Sequence, residues 1–228
     1  LLTMTSLVVD QQLAEACHLN NEGAEHFEDG EWPRALVSLR QSLECIVAHV
    51  TARDNENGIL HVNPDLQALH KVAQQIGYLP AGLSRDDSAP FLFQNPIIFT
   101  EIPTFSHETV LAVCGVIIFN MAIICHANGV EGDQTGFTKA LQLYDCSIGF
   151  FCRAPQGETI FAGVLSLALN NKVQIYFEDC RFDELERDAA TLSQLVSVAY
   201  EGADPSNSPE FDGILLNLML LRKPYLAQ

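Results

Sequence analysis

The sequence predicts an all-α fold built from three pairs of antiparallel helices. Leu-Asn-Asn occurs at residues 19–21 and again at residues 169–171, and a weaker copy of this opening begins at Phe119-Asn120. Apolar residues recur at steps of three and four along most of the chain, which is typical of amphipathic helices. Glycine, proline and asparagine interrupt these stretches at the points where helices should end.

The first repeat-like unit is expected over about residues 6–52. Apolar residues up to Phe27 mark its first helix. Asp29-Gly30 should end this helix, because glycine readily takes the left-handed conformation found at helix ends. Pro33 then falls in the first turn of the second helix, where its missing N–H has no partner to lose. The second helix should end near Ala52.

Residues 53–105 fit the repeat poorly and are predicted to form an inserted segment. Pro90, Pro96 and Pro103 surround two apolar runs, at residues 91–93 and 97–99. Proline at this density excludes a helix and confines any strand to a sheet edge. We expect an extended insertion, or a small β-hairpin, whose apolar residues lie against the helices. A functional departure from a plain repeat would also be found here.

The second unit is expected over about residues 106–150. Ser106 is a suitable N-cap for its first helix, and Asn128-Gly129 should end that helix. The sixteen residues 110–125 carry no charge, but as a helix they would span only about 24 Å, against roughly 30 Å for a bilayer core. A helix buried by its neighbours is therefore predicted here, and not a membrane span. The loop 130–135 and a second helix should follow.

The third unit is expected over about residues 157–202, with one helix from Thr159 to about Asp179 and the next from Phe182. A linker rich in turn-forming residues follows it. A last helix at about residues 209–222 should cap the C-terminal end. This organisation predicts one domain over residues 1–228, because a helical pair alone cannot bury both its faces.

The charge and the cysteines limit the classes of partner and compartment. The net charge is −17, so the surface should repel nucleic acid and anionic lipid and attract a partner with a basic surface. Solubility is the alternative explanation of this charge. Seven scattered cysteines without a Cys-x-x-Cys pair argue against disulfides and zinc, and indicate a reducing, intracellular compartment. Because the sequence begins at Leu1, a removed targeting peptide could not be recognised.

The first unit resembles the tetratricopeptide repeat (TPR), a 34-residue pair of antiparallel helices. The residues that carry this resemblance in the first unit are Leu19, Gly23, Phe27, Gly30, Trp32, Ala35, Leu39 and Ser42. The second unit is similar at Asn120, Ala122, Ala140 and Tyr144, although its spacing is about six residues longer than that of the family. The third unit is similar at Leu169, Tyr176, Phe182 and Leu192 but departs from the pattern at Val173, Cys180 and Leu185.

The resemblance implies an α-solenoid whose stacked helix pairs leave a concave groove that binds peptides. In one mode known in the family, basic residues and asparagines clamp an acidic chaperone tail. This chain does not fit that mode, because Glu22 and Glu25 in the first unit would repel an acidic peptide and the third unit offers only Lys172.

Catalytic, metal and cofactor sites are not predicted. Cys17-His18 and Cys125-His126 are adjacent pairs, but neighbours in a helix point about 100° apart and do not face each other. A buried cysteine beside a partly exposed histidine is the preferred interpretation of both pairs. None of the seven histidines forms a ligand pair at helical spacing.

Asparagines in the middle of predicted helices are the main candidates for partner binding, because asparagine has a low helix propensity and needs a reason to be there. They could bond to the backbone of a neighbouring unit, or they could line the groove and hold the main chain of a ligand. The aromatic residues of the insertion could anchor a partner or another copy of the chain. The full set of candidates is Asn20, Asn21, Asn120, Asn170, Asn171, Phe91, Phe93, Phe99 and Phe105.

The function predicted is that of a non-catalytic adaptor or assembly subunit, which binds another protein through the groove or through residues 90–105. One alternative is an enzyme, or a regulatory domain of one, whose site is built from residues distant in sequence. Another is a fixed structural subunit of a larger complex.

Overall fold

The structure, a computed structural model, describes residues 4–56, 93–101, 106–153, 159–202, 214–215 and 217–219. Six long helices lie in these residues: α1 (Met4–Glu28), α2 (Trp32–Glu56), α3 (His107–Val130), α4 (Gln134–Phe151), α5 (Thr159–Glu178) and α6 (Phe182–Gly202). No β-strand occurs in the ranges described. The all-α prediction is therefore confirmed there. Most of the predicted insertion and most of the predicted capping helix lie outside the described residues, although residues 214–215 and 217–219 are helical.

Consecutive helices pack in pairs, α1 with α2, α3 with α4, and α5 with α6. The first pair is antiparallel, since the end of one helix contacts the start of the next. The rings of Phe27 and Trp32 stack with centroids 6.1 Å apart, and further from the turn the Ser42 hydroxyl donates to the carbonyl of Ala16 at 2.6 Å. The α3–α4 pair has the same bond, from the Ser147 hydroxyl to the carbonyl of Gly115 at 2.8 Å.

All three pairs turn through the same three-residue connection. In each connection the third backbone N–H bonds to a carbonyl five residues earlier, as from Glu31 to His26 and from Arg181 to Tyr176. The middle residue has a positive φ of 77° at Gly30, 108° at Gly132 and 56° at Cys180. Cys180 thus adopts a conformation that glycine occupies in the other two turns.

The prediction that Asn128-Gly129 ends the first helix of the second unit is wrong, because α3 continues to Val130. Asn128 donates to the carbonyl of Ile124 at 2.8 Å within the helix, and Gly129 packs against the ring of Phe137. Asn128-Gly129 therefore serves packing within the pair, and Gly132 makes the turn.

The longer spacing of the second helix pair, α3–α4, lies within its helices, because its turn is no longer than that of the first pair. The turn glycine follows Asn21 by nine residues in the first pair and Asn120 by twelve in the second. The serine that bonds across each pair follows that glycine by twelve residues and by fifteen, respectively. The interval between the turn and the matching residue is thus three residues longer on each side of the turn. In a smaller correction, α2 extends to Glu56, beyond its predicted end at Ala52.

The chain divides into two compact units, of which unit 1 comprises Leu1–Arg85 and Asn95–Ala154. Within unit 1, α3 packs against α2 and also contacts α1, so the second pair stacks on the first.

The Ser106 side chain accepts from the N–H of Thr109, as predicted for an N-cap. By length and composition alone Thr109–Val130 could cross a membrane, but 94% of an 18-residue apolar window in this helix is buried inside the protein.

Unit 2 comprises Asp86–Gln94 and Pro155–Gln228, and its described core is formed by α5, α6 and the helical residues 214–215 and 217–219. Val173, Ile175 and Leu192 are buried within it, and Ile214 also contributes an apolar side chain. Lys172 of α5 forms a buried ion pair with Asp188 of α6, with Nζ 2.7 Å from Oδ2.

Candidate functional site

One position of the repeat carries an asparagine in all three helix pairs. Each of Asn21, Asn120 and Asn171 lies two residues before the position held by Gly23, Ala122 and Val173, respectively. The residue at that second position packs inside its own pair, as Gly23 does beneath Leu39. Asparagine is a poor helix former, because its side chain competes for backbone hydrogen bonds. Its presence in three helices therefore points to bonds made outside those helices.

In unit 1 these asparagines hold the main chain of residues 95–101, which belong to no helix. Oδ1 of Asn21 accepts from the N–H of Phe99 at 2.8 Å, and its amide donates to the Phe99 carbonyl at 2.8 Å. Asn120 holds Ile97 in the same way, again at 2.8 Å for each bond. Because the backbone N–H must donate to an oxygen, these pairs fix the orientation of both side-chain amides.

Asn20 connects the two asparagines that hold the segment. Its amide donates to the Ile97 carbonyl at 3.0 Å and to Oδ1 of Asn21 at 3.3 Å. Its own Oδ1 accepts from Asn120 at 2.9 Å. We name Asn20, Asn21 and Asn120 the first clamp. Its three side chains form one chain of bonded amides from α1 to α3, and Asn20 and Asn120 are buried.

Unit 2 repeats this arrangement with other residues. Oδ1 of Asn171 accepts from the N–H of Phe93 at 3.2 Å, and its amide donates to the Phe93 carbonyl at 3.1 Å. Asn170 donates to Oδ1 of Asn171 at 3.3 Å and accepts from Asn217 at 2.9 Å. We name Asn170, Asn171 and Asn217 the second clamp. Its bonds correspond one for one to those that link Asn20, Asn21 and Asn120.

The residues that the clamps hold lie within residues 93–99, a stretch without regular secondary structure. We call this run the clamped segment. Phe93, Ile97 and Phe99 are partly buried, whereas the Ile98 side chain is 55% exposed. Side chains alternate in direction along an extended chain, so the burial pattern of residues 97–99 matches contact on one side.

The predicted site residues divide into three groups. The five predicted asparagines all contact the clamped segment or each other, and Phe93 and Phe99 contribute their main chains. Phe91 and Phe105 lie outside the described residues. Sequence reasoning missed Asn217 and Ile97. Asn217 is not part of an Asn-Asn dipeptide, and Ile97 is recognised only through its backbone, which leaves no mark in the sequence.

Charged residues directly beside both clamps lie close to other titratable side chains. Lys172 follows Asn171 directly and is bonded to Asp188, so its charge is matched inside unit 2. In unit 1, Glu22 lies 3.7 Å from Nε2 of His26, whose Nδ1 is 3.0 Å from Glu31. The groups that both clamps present to the main chain are neutral side-chain amides.

The two Cys-His pairs have no catalytic geometry. Burial raises the pKa of Cys17 to about 11 and that of Cys125 to about 12, so neither thiol ionises readily. His126 is fully buried, contrary to the partial exposure expected, and burial lowers its pKa to about 3. Its ring lies between Phe137 and Tyr144, with centroids 5.6 and 6.0 Å away.

Among the described residues, no group of three His, Cys, Asp or Glu could hold a metal ion.

Comparison with known proteins finds no matching family model, no matching curated protein and no matching solved structure.

Proposed function

We propose that this chain is a TPR-like α-solenoid that serves as a non-catalytic adaptor or assembly subunit. The observation that carries the proposal is that one repeat position supplies asparagines that hold main-chain N–H and C=O groups in both units. Such contacts recognise extended polypeptide. A protein is therefore the class of ligand that the clamps fit.

The repeat geometry supports the TPR-like part of the proposal. The three pairs have the same turn, and in the first pair Gly23 allows close approach of Leu39, since a Cβ added there would lie 2.7 Å from its Cγ. In unit 1 the second pair stacks on the first. We extend this plan to repeat units at about 6–52, 106–150 and 157–202, with an insertion at 53–105 and a cap at 209–222.

The charge and the cysteines support the kind of partner and the compartment. A chain with a net charge of −17 attracts a basic protein surface and repels nucleic acid. All seven cysteines are free thiols. Free thiols are the usual state of cysteine in a reducing compartment, so we place the protein inside the cell. There it binds its partner in a two-protein complex or as part of a larger complex.

Replacing the clamp asparagines tests the proposal. The tagged chain should be purified under native conditions, and the proteins that accompany it identified by mass spectrometry. The same purification with Asn21→Ala and with Asn171→Ala should lose the partner. Asn95→Ala, a change at an exposed residue within the clamped segment, should retain it. Equal recovery of the same protein with all four chains would reject the clamps as the binding surface.

A further inference from the structure

We infer that the first clamp is a binding site for an extended segment of a partner protein, and that the chain's own residues 95–101 are an internal occupant which that segment replaces. This inference rests on the proposed function and deepens it, because it names the site and the chemistry of the partner. The second clamp shows the same chemistry on different residues, so the arrangement does not depend on one local sequence.

The first clamp recognises main chain only. Each of its bonds to the occupant goes to the N–H or C=O of Ile97 or Phe99. These residues are two apart, so both present their polar groups on the same edge of an extended chain. Any extended segment with two residues at this spacing, and with a free N–H on each, satisfies the same bonds. Proline at either position does not, because it has no N–H.

The burial of the occupant adds a requirement on side chains. Ile97 and Phe99 are partly buried, whereas Ile98 between them is largely exposed. A replacing segment therefore needs apolar residues at the two clamped positions and accepts any residue between them. The ligand class is an extended apolar-x-apolar segment without proline at its apolar positions.

The occupant is held in a way that permits exchange. From residue 93 to residue 99 the chain forms neither helix nor strand, so the bonds that hold it come from side-chain amides and not from a ladder. In an extended chain the N–H and C=O of Ile98 face away from those of its neighbours. Among the residues that the structure describes, no hydrogen bond reaches these two groups, so this edge offers a first contact to an incoming chain.

Charge favours a partner protein over a second copy as the source of the incoming segment. Two copies each carry a net charge of −17 and repel each other. Residues 95–100 of the occupant are uncharged and Glu101 carries one negative charge, so the occupant itself adds nothing that would draw a chain to the acidic surface. An apolar-x-apolar segment flanked by lysine or arginine would be drawn to the acidic surface and would then bind the clamp through its main chain.

The test uses a fluorescent synthetic peptide with the sequence of residues 93–101 and the full chain carrying Ile97→Pro with Phe99→Pro. These changes remove the two N–H groups that donate to the first clamp, and the internal occupant should leave it. Ile98→Pro is the matched control, because the N–H of Ile98 faces away from the clamp. The occupant competes at the effective concentration of a tethered segment, on the order of millimolar.

We expect the peptide to bind the double-proline chain at least about tenfold more tightly than it binds the wild-type chain or Ile98→Pro, because the binding-competent fraction rises. Adding Asn21→Ala to the double-proline chain should abolish binding. A peptide with proline in place of its own isoleucine and phenylalanine at the clamped positions should not bind. Equal affinity for the double-proline and wild-type chains would overturn the inference, as would binding that survives Asn21→Ala.

A second measurement keeps the test independent of whether the double-proline chain folds. In the wild-type chain, an excess of the same peptide should accelerate hydrogen exchange at the amides of Ile97 and Phe99, while the proline-containing peptide should not. Unchanged exchange at saturating peptide would count against replacement. A wild-type chain that dimerises with rising concentration through exchange of residues 95–101 would overturn the choice of a partner protein.

The outcomes also separate this inference from the proposed function. If the clamp variants lose a cellular partner but the peptide never enters the opened clamp, the adaptor function stands and the replacement does not. If the peptide enters the clamp but no partner depends on the asparagines, the site binds polypeptide in solution and the adaptor function fails.

Discussion

The side-chain amide of Asn120 in α3 donates a 2.9 Å hydrogen bond to Oδ1 of Asn20 in α1, a residue one hundred positions earlier in the chain. The same amide nitrogen donates to the Ile97 carbonyl at 2.8 Å. One buried side chain thus joins two helix pairs to each other and to the clamped segment. Replacing Asn120 should therefore destabilise unit 1 by more than the loss of one hydrogen bond.

Asn120→Ala should lower the free energy of unfolding by on the order of 3 kcal/mol, measured by urea denaturation. The substitution leaves the N–H of Ile97 and Oδ1 of Asn20 without their partner in a buried or partly buried site, and each such group costs about 1–3 kcal/mol. Asn95→Ala in the same segment should change the stability by less than about 0.5 kcal/mol, because Asn95 is exposed.

Asn120→Asp separates lost hydrogen bonds from lost volume. Aspartate has nearly the same shape, but its carboxylate cannot donate to the two oxygens that the amide now serves. It should be at least as destabilising as alanine at pH 7 and should regain part of the loss as the pH falls and the carboxyl group becomes protonated. An aspartate variant as stable as the wild type would contradict the assigned direction of these bonds.

Helix pairing could be predicted from the sequence because its signals are local. The turn at Gly30 and the N-cap at Ser106 each depend on residues within one helical turn. The role of the asparagines could not be decided, because their partners are main-chain atoms. The residue types of Ile97 and Phe99 do not distinguish a residue that is bound through its backbone from any other apolar residue. Asn217, which bonds to the side chain of Asn170, was missed because it is not part of an Asn-Asn dipeptide.

Cys180→Gly should stabilise the protein by about 1 kcal/mol. Cys180 has a φ of 56°, a conformation that costs a residue with a side chain roughly 1–2 kcal/mol and costs glycine little. Its side chain is exposed, so little packing is lost. The measurement is the midpoint of thermal unfolding under reducing conditions.

Cys152→Gly is the control for the change at Cys180. Cys152 is also an exposed cysteine next to a helix end, but its φ is −65° and its ψ is −20°. Glycine there relieves no strain and adds freedom to the unfolded chain, so this variant should not be stabilised. A gain of the same size in both variants would show that removing a thiol, and not relieving φ, is the cause.

Gly136→Ala should destabilise unit 1 by about 3 kcal/mol, because overpacking against an immovable neighbour forces backbone shifts. A Cβ at Gly136 would lie 2.6 Å from the carbonyl oxygen of Cys125 and 2.6 Å from the backbone nitrogen of Gly129. Helix α4 therefore approaches α3 so closely at this point that a Cβ does not fit between the two backbones. Chemical denaturation of the full chain gives the measurement.

Gly163→Ala provides the opposite expectation with the same substitution. Gly163 lies in α5, and a Cβ there would meet nothing within 4 Å. Replacing a glycine inside a helix by alanine commonly gains about 0.5–1 kcal/mol. If Gly136→Ala proved as harmless as Gly163→Ala, the close approach of α3 and α4 would be refuted.

The third helix pair, α5–α6, departs from the TPR pattern for a physical reason that a comparison of single positions misses. Val173 stands where the first unit has Gly23, and Ala189 stands where the first unit has Leu39. Gly23 and Leu39 are in close contact, and both Val173 and Ala189 are buried. We interpret this as an exchange of large and small side chains across one helix pair that keeps the total volume. A pattern that scores each position alone records two mismatches instead of one exchange.

His126 should make the stability of unit 1 depend on pH between about 6.5 and 3. Burial lowers its pKa in the folded protein to about 3, whereas the unfolded chain binds a proton at the ordinary value of 6.5. Below pH 6.5 the unfolded state therefore holds more protons than the folded state. The stability falls as the pH falls, by up to about 1.4 kcal/mol per pH unit, until the folded histidine is also protonated near pH 3.

The variant that checks this dependence is His126→Gln, which cannot titrate. It should be less stable than the wild type at pH 7, because its packing against Phe137 is altered, but its stability should fall less steeply below pH 6.5. Tyr144→Phe removes the hydroxyl 3.4 Å from Nδ1 and keeps the ring that buries the histidine. Because desolvation causes the shift, this second variant should keep the wild-type slope. A Tyr144→Phe profile as flat as that of His126→Gln would assign the pH dependence to the hydrogen bond and not to burial.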